Sequence, residues 1–146
     1  MNNTELVRTL MTALDAGDIA KAGGLLADDF QISGPFPEPM SKEQWLGMHA
    51  TLKAAFPDWS FNLNKIEDRG NSAVAYYHIT GTHKGALDLS AMGMPVIPAT
   101  SKTIKLPAEH AEMDILDGKV VSMVVHGGEG GGLPGLLKQI GVDMPG

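Results

Sequence analysis

By side-chain type, His110 and His126 are the residues best suited to move a proton. A neutral imidazole in a cleft is a competent general base, because it titrates close to neutral pH. His110 also opens the run His110-x-Glu112-x-Asp114, which sets three metal-ligand types on one face of a strand. Polar alternation of that kind more often marks a solvated or interface face than a metal site. The five histidines, His49, His78, His83, His110 and His126, lie in separate segments without His-x-x-x-His spacing, so no metal is expected. Cys is absent, which removes thiol nucleophiles, thiolate metal sites and disulfides. No Gly-x-Ser-x-Gly context supports a Ser-His-Asp system.

Behind His126 runs the stretch GGEGGGLPGLLKQIGV, in which Gly130-x-Gly132-x-x-Gly135 matches the dinucleotide fingerprint. A working fingerprint sits between a first strand and a helix, with an acidic residue about 20 positions on. Too little chain follows Gly135 for that. The tract reads as a hand-over from a strand to a last helical segment, and no cofactor is expected.

The elements that must position these groups are well signposted. Leu6, Val7, Leu10, Met11 and Leu14 form an apolar stripe that predicts a first helix over 3–16, with Asn2 as cap and Gly17 as stop. Asp18 caps a predicted second helix over 19–27. A short strand follows in DDFQISGPF. Ser41-x-x-Gln44 is a capping box for a third helix over 42–56, carrying Trp45, Met48, His49, Leu52 and Phe56 on one face until Pro57 stops it. From Trp59 the period changes to two, and strands are predicted over 59–68, 72–81, 102–116 and 119–126. Asp117-Gly118 joins the last two as a tight hairpin. Helices first and antiparallel strands after predict an α+β fold, a curved, mainly antiparallel sheet wrapped over three N-terminal helices.

The hairpin permits a face argument. With a two-residue turn, Leu116 stands opposite Lys119 and Ala111 opposite Val124. His126 then shares a mostly apolar face with Ala111 and Met113 and is expected to point inward. His110 and Glu112 share the other face with Val121, Met123 and Val125, an apolar trio that a homodimer partner is expected to cover.

A pocket for a small hydrophobic molecule is expected from Trp45, His49, Phe56, Trp59, Tyr77 and Met113. The apolar, proline-broken loop over 86–101 adds Met92 and Met94, since methionine adapts to irregular ligand shapes. A net charge of −6 with scattered Lys and Arg gives no nucleic-acid footprint. No apolar run reaches membrane-span length, and the N-terminus lacks a signal-peptide pattern, so a cytoplasmic protein of one domain, 1–146, is expected.

Five strings in order, LLADDF, AAFPDWSF, GTHKG, DGKVV and LLKQIGV, resemble the SnoaL-like polyketide cyclases of the nuclear transport factor 2-like superfamily. The resemblance runs from about Glu5 to Val142. It implies a cone-shaped α+β barrel open to a small apolar molecule, and frequent homodimers. Its cyclases use an Asp on the last strand near a His on the strand before, without cofactor. Those positions fall here at Val125 and Ala111, neither of which can move a proton. His126 and His110 stand one residue away and are the candidate catalytic residues, although a slip of one residue reverses the face. Two neighbouring chemistries lack their residues. An epoxide hydrolase of the limonene type needs an Asp-Arg-Asp set, and a ketosteroid isomerase needs a Tyr on the first helix. The implied activity is a cofactor-independent cyclase or isomerase acting on a hydrophobic carbonyl compound; the alternative is a non-catalytic binder of an apolar molecule.

Overall fold

The computed structural model describes residues 2–34, 38–90, 93–127, 130 and 132–142. Its elements follow the expected order: α1 (Asn3–Ala16), α2 (Ile19–Gly24), β1 (Leu26–Ser33), β2 (Met40–Ser41), α3 (Lys42–Ala55), β3 (Lys65–Asp68), β4 (Ser72–Tyr77), β5 (Thr80–Thr82), β6 (Thr103–Lys105), β7 (Glu109–Leu116), β8 (Lys119–His126) and α4 (Gly132–Gln139). Six strands form one sheet in the order β2-β1-β8-β7-β4-β3, and β5 pairs with β6 in a smaller one. Every pair is antiparallel except β1 with β8. The architecture is α+β, with an open curved sheet rather than a closed barrel.

Local chemistry sets the helices. Asn2 accepts the Glu5 N–H at 2.8 Å, and Gly17 ends α1 in the left-handed region at φ 76°. Ser41 and Gln44 form the complete capping box of α3. The α1 stripe of Leu6, Val7, Leu10 and Leu14 is wholly buried against the sheet. Each such side chain contributes roughly 1.5–3 kcal/mol of burial.

Several boundaries differ from expectation, and the strand expected over 72–81 ends at Tyr77, with Thr80–Thr82 pairing as β5 in the smaller sheet. α2 stops at Gly24, because residues 26 and 27 are claimed by β1. The strand expected over 102–116 is two, interrupted around Pro107, which has no N–H to give a ladder. Of the strand expected over 59–68, only Lys65–Asp68 is regular. Upstream, Asn62 takes φ 46°, and its side-chain amide donates to the His78 carbonyl and Thr80 hydroxyl, both at 3.0 Å. Trp59 and Phe61 are nevertheless buried.

The hairpin holds the decisive difference. Asp117 (φ 53°) and Gly118 (φ 73°) make the turn, and Leu116 pairs with Lys119 as expected. Ile115 then pairs with Val120, but Asp114 pairs with Ser122, which leaves Val121 as an extra residue in a β-bulge. The Ser122 hydroxyl donates to Asp114 Oδ2 at 2.9 Å just past the bulge. One inserted residue reverses every later side chain. Ala111 therefore faces Val125, and His110 faces His126.

Candidate functional site

Between α1, α3 and the inner sheet face lies a cavity of about 80 Å³. α3 contributes Trp45, His49 and Leu52 to its wall, and the irregular segment after α3 contributes Trp59 and Phe61. Tyr77 on β4, Glu109, Ala111 and Met113 on β7, and Met123 and Val125 on β8 complete the sheet side. Leu136 of α4 reaches it from the C-terminal end. The helix is docked there by Gln139, which accepts the Lys105 N–H at 2.7 Å and donates to the Lys105 carbonyl at 2.9 Å.

His49 stands in a box of aromatic rings, 5.0 Å from Trp45, 5.8 Å from Trp59 and 5.6 Å from Phe61. Burial without a compensating charge holds its imidazole at about 4, so it is neutral at physiological pH. Phe61 in turn meets Tyr77 edge-on at 5.3 Å. Tyr77 and Glu109, paired across β4 and β7, both face the cavity, so the phenol stands beside the carboxyl. Burial, reinforced by that carboxylate, pushes the phenol well above its ordinary value. Glu109 is itself buried and is the one carboxylate in the cavity wall among the described residues. The Trp59 indole N–H is buried and has no hydrogen-bond partner among the described residues.

Of the expected ligand-binding residues, Trp45, His49, Trp59, Tyr77 and Met113 meet at this cavity. Phe56 does not: it is core, stacked 5.2 Å from His83, whose Nδ1 lies 2.9 Å from the Thr100 hydroxyl. Met94 is half-buried against the core rather than in the cavity wall, because Leu87, Leu89 and Ile97 anchor the loop inward. Met92 lies outside the described residues, as do Gly128, Glu129 and Gly131 of the glycine tract.

His126 is a correction. The Val121 bulge turns it onto the outer face with His110, their rings stacked 4.8 Å apart, and neither lines the cavity. Met123 and Val125, expected outside, turn inward by the same reversal, which removes the apolar trio proposed to draw a dimer partner. Glu109 was the residue missed. Its signal was parity: it lies two residues before Ala111, hence on the same face of the strand.

The sequence matches the SnoaL-like domain family over residues 7–123. No curated protein matches it by sequence. Among solved structures, AclR from Streptomyces galilaeus, assigned as a hydroxylase, is 19% identical with a TM-score of 0.74, covering 95% of each chain. IdmH from Streptomyces antibioticus, assigned as a polyketide cyclase, is 22% identical with a TM-score of 0.73, covering 97% of this chain and 100% of its own. An NTF2-like protein of unknown function from Cytophaga hutchinsonii is 17% identical with a TM-score of 0.62, covering 88% and 91%. These likenesses establish the fold. Among the described residues no helix is long and apolar enough to cross a membrane.

Proposed function

Because this chain belongs to the SnoaL-like domain family, we propose that it is a cofactor-independent acid–base enzyme of cyclase or isomerase type acting on a compact hydrophobic carbonyl compound. The observation behind this reading is the Tyr77–Glu109 pair, side by side on neighbouring strands in a largely apolar cavity wall. Apolar walls bind the hydrocarbon part of a ligand, and a few polar groups orient it. Glu109 is the general base: its carboxylate takes a proton alpha to the carbonyl. The neutral His49 ring, or the buried Trp59 N–H, donates a hydrogen bond to the enolate oxygen that develops. The enolate carbon then attacks a second carbonyl within the substrate, whose C=O π bond opens to an alkoxide that takes the proton from Glu109; in a conjugated enolate, Glu109 instead returns the proton to a different carbon. Ala111 and Val125, directly opposite one another, leave the family's usual pair of positions without acid or base. In this reading Glu109 supplies the carboxylate one pleat away.

A cavity of about 80 Å³ takes only a small molecule. The same apolar pair also supports a second reading, a non-catalytic binder. Deuterium exchange separates the two. Small hydrophobic ketones are incubated with the protein in D₂O, and exchange alpha to the carbonyl is followed by NMR. Catalysis predicts protein-dependent exchange that falls by about 10²–10⁴-fold in Glu109→Gln, the usual span of a general base. Binding without exchange, unchanged by Glu109→Gln, would leave only the binder.

A further inference from the structure

The outer face of the sheet carries a second polar constellation that the cavity chemistry does not use. Across β4, β7 and β8 the residues Tyr76, His110 and His126 stand in register. Their rings are stacked, Tyr76 on His110 at 5.6 Å and His110 on His126 at 4.8 Å. Glu112, two residues along β7 on the same face, reaches back so that its Oε1 lies 3.5 Å from His126 Nε2. One donor atom from each of His110, Glu112 and His126 can be chosen so that all three lie within 4.8 Å of one another.

We propose that His110, Glu112 and His126 form a divalent transition-metal site, suited to Zn²⁺, on the face of the sheet opposite the cavity. Two imidazoles and one carboxylate are a donor set that zinc accepts readily, and water fills the remaining positions. Zinc holds nitrogen and oxygen at about 2.0–2.2 Å, so three donors around one ion stand roughly 3.4 Å apart. Small rotations of half-exposed side chains close the present spacing to that value. The backbone does the harder part. Directly opposed residues on antiparallel strands hold their side chains close without further ordering, and a residue two along shares their face. Tyr76 backs the His110 ring, and its hydroxyl is fixed by Glu67 at 2.9 Å, which limits the orientations the imidazole must give up on binding. The sequence hid the site because His126 reaches this face only through the Val121 bulge. A bound ion clips the last residue of β8 to β7, and this does not depend on the reading of the cavity.

Zinc titration of tag-free, chelator-treated protein by calorimetry tests the proposal, with ZnCl₂ as the probe. One ion per chain is expected, with a thermal midpoint that rises with zinc concentration. His110→Ala and His126→Ala should each weaken binding by more than about 100-fold, beyond the 10–100-fold cost of altering a group that merely supports a ligand. Glu112→Gln keeps both imidazoles and should weaken binding less; it serves if an alanine variant misfolds. His78→Ala, outside the cluster, should bind as the parent does. Absence of zinc binding to the parent protein, or parent-like binding by His126→Ala, would overturn the site.

Discussion

On the inner side of β7 and β8, Ala111, Met113, Met123 and Val125 make a smooth apolar wall ending at Glu109. On the outer side of the same two strands stand His110, Glu112, Asp114, Ser122 and His126, most of them in contact with one another. The two faces share a backbone and alternate residue by residue, yet one is suited to hold a hydrocarbon and the other an ion. Alternation alone does not decide which is which. The extra residue Val121 brings Met123 and Val125 into phase with Ala111 and Met113, so that two strands agree on one apolar face. A regular ladder would instead have set His126 against that wall and left Met123 and Val125 in water. Burial of the larger apolar set favours the bulge.

The largest effect is expected from attacking that device. Deleting Val121 forces the distal half of β8 either to reverse its faces or to lose its pairing. The variant should lose cooperative unfolding in urea, and a parent-like transition would show that the bulge is dispensable. A milder contrast comes from truncation on either side. Met113→Ala, fully buried on the inner wall, should cost about 2–5 kcal/mol, the range for emptying a packed site. Val124→Ala, on the outer face and 37% exposed, should change stability by no more than about 0.5 kcal/mol. Denaturant midpoints of the two variants give the comparison directly, and equal losses would mean that the outer face is covered.

An acid titration sharpens the contrast by about as much. His49 has its folded-state value lowered from 6.5 to about 4 by burial, so the unfolded chain binds the proton more tightly. Stability from this residue is therefore complete above pH 6.5 and is lost as the pH falls toward 4. The total loss is on the order of 3 kcal/mol. His49→Leu should flatten the stability profile between pH 6.5 and 4 relative to the parent protein; parallel profiles would show the imidazole to be hydrated. A smaller effect than either core change is expected at the bulge bond. Ser122→Ala removes the hydroxyl that donates to Asp114 and should cost about 0.5–1.5 kcal/mol, read from the same denaturant midpoints.

What the sequence determined by itself is what local chemistry determines. The caps at Asn2 and Ser41, the stops at Gly17 and Pro57, the Asp117-Gly118 turn and the buried stripe of α1 each depend on residues a few positions apart. Trp45, His49, Trp59, Tyr77 and Met113 were legible as cavity wall for a related reason: large aromatic and flexible side chains at helical or strand spacing have to be buried somewhere. The tertiary structure alone decided the orientation of His126, Met123 and Val125, because a one-residue bulge is a compromise between two strands and the helices that cover them. It also decided that Glu109 meets Tyr77 across the β4–β7 ladder and that Phe56 packs on His83. Those contacts join segments tens of residues apart, and parity along one strand says nothing about which partner the neighbouring strand will present.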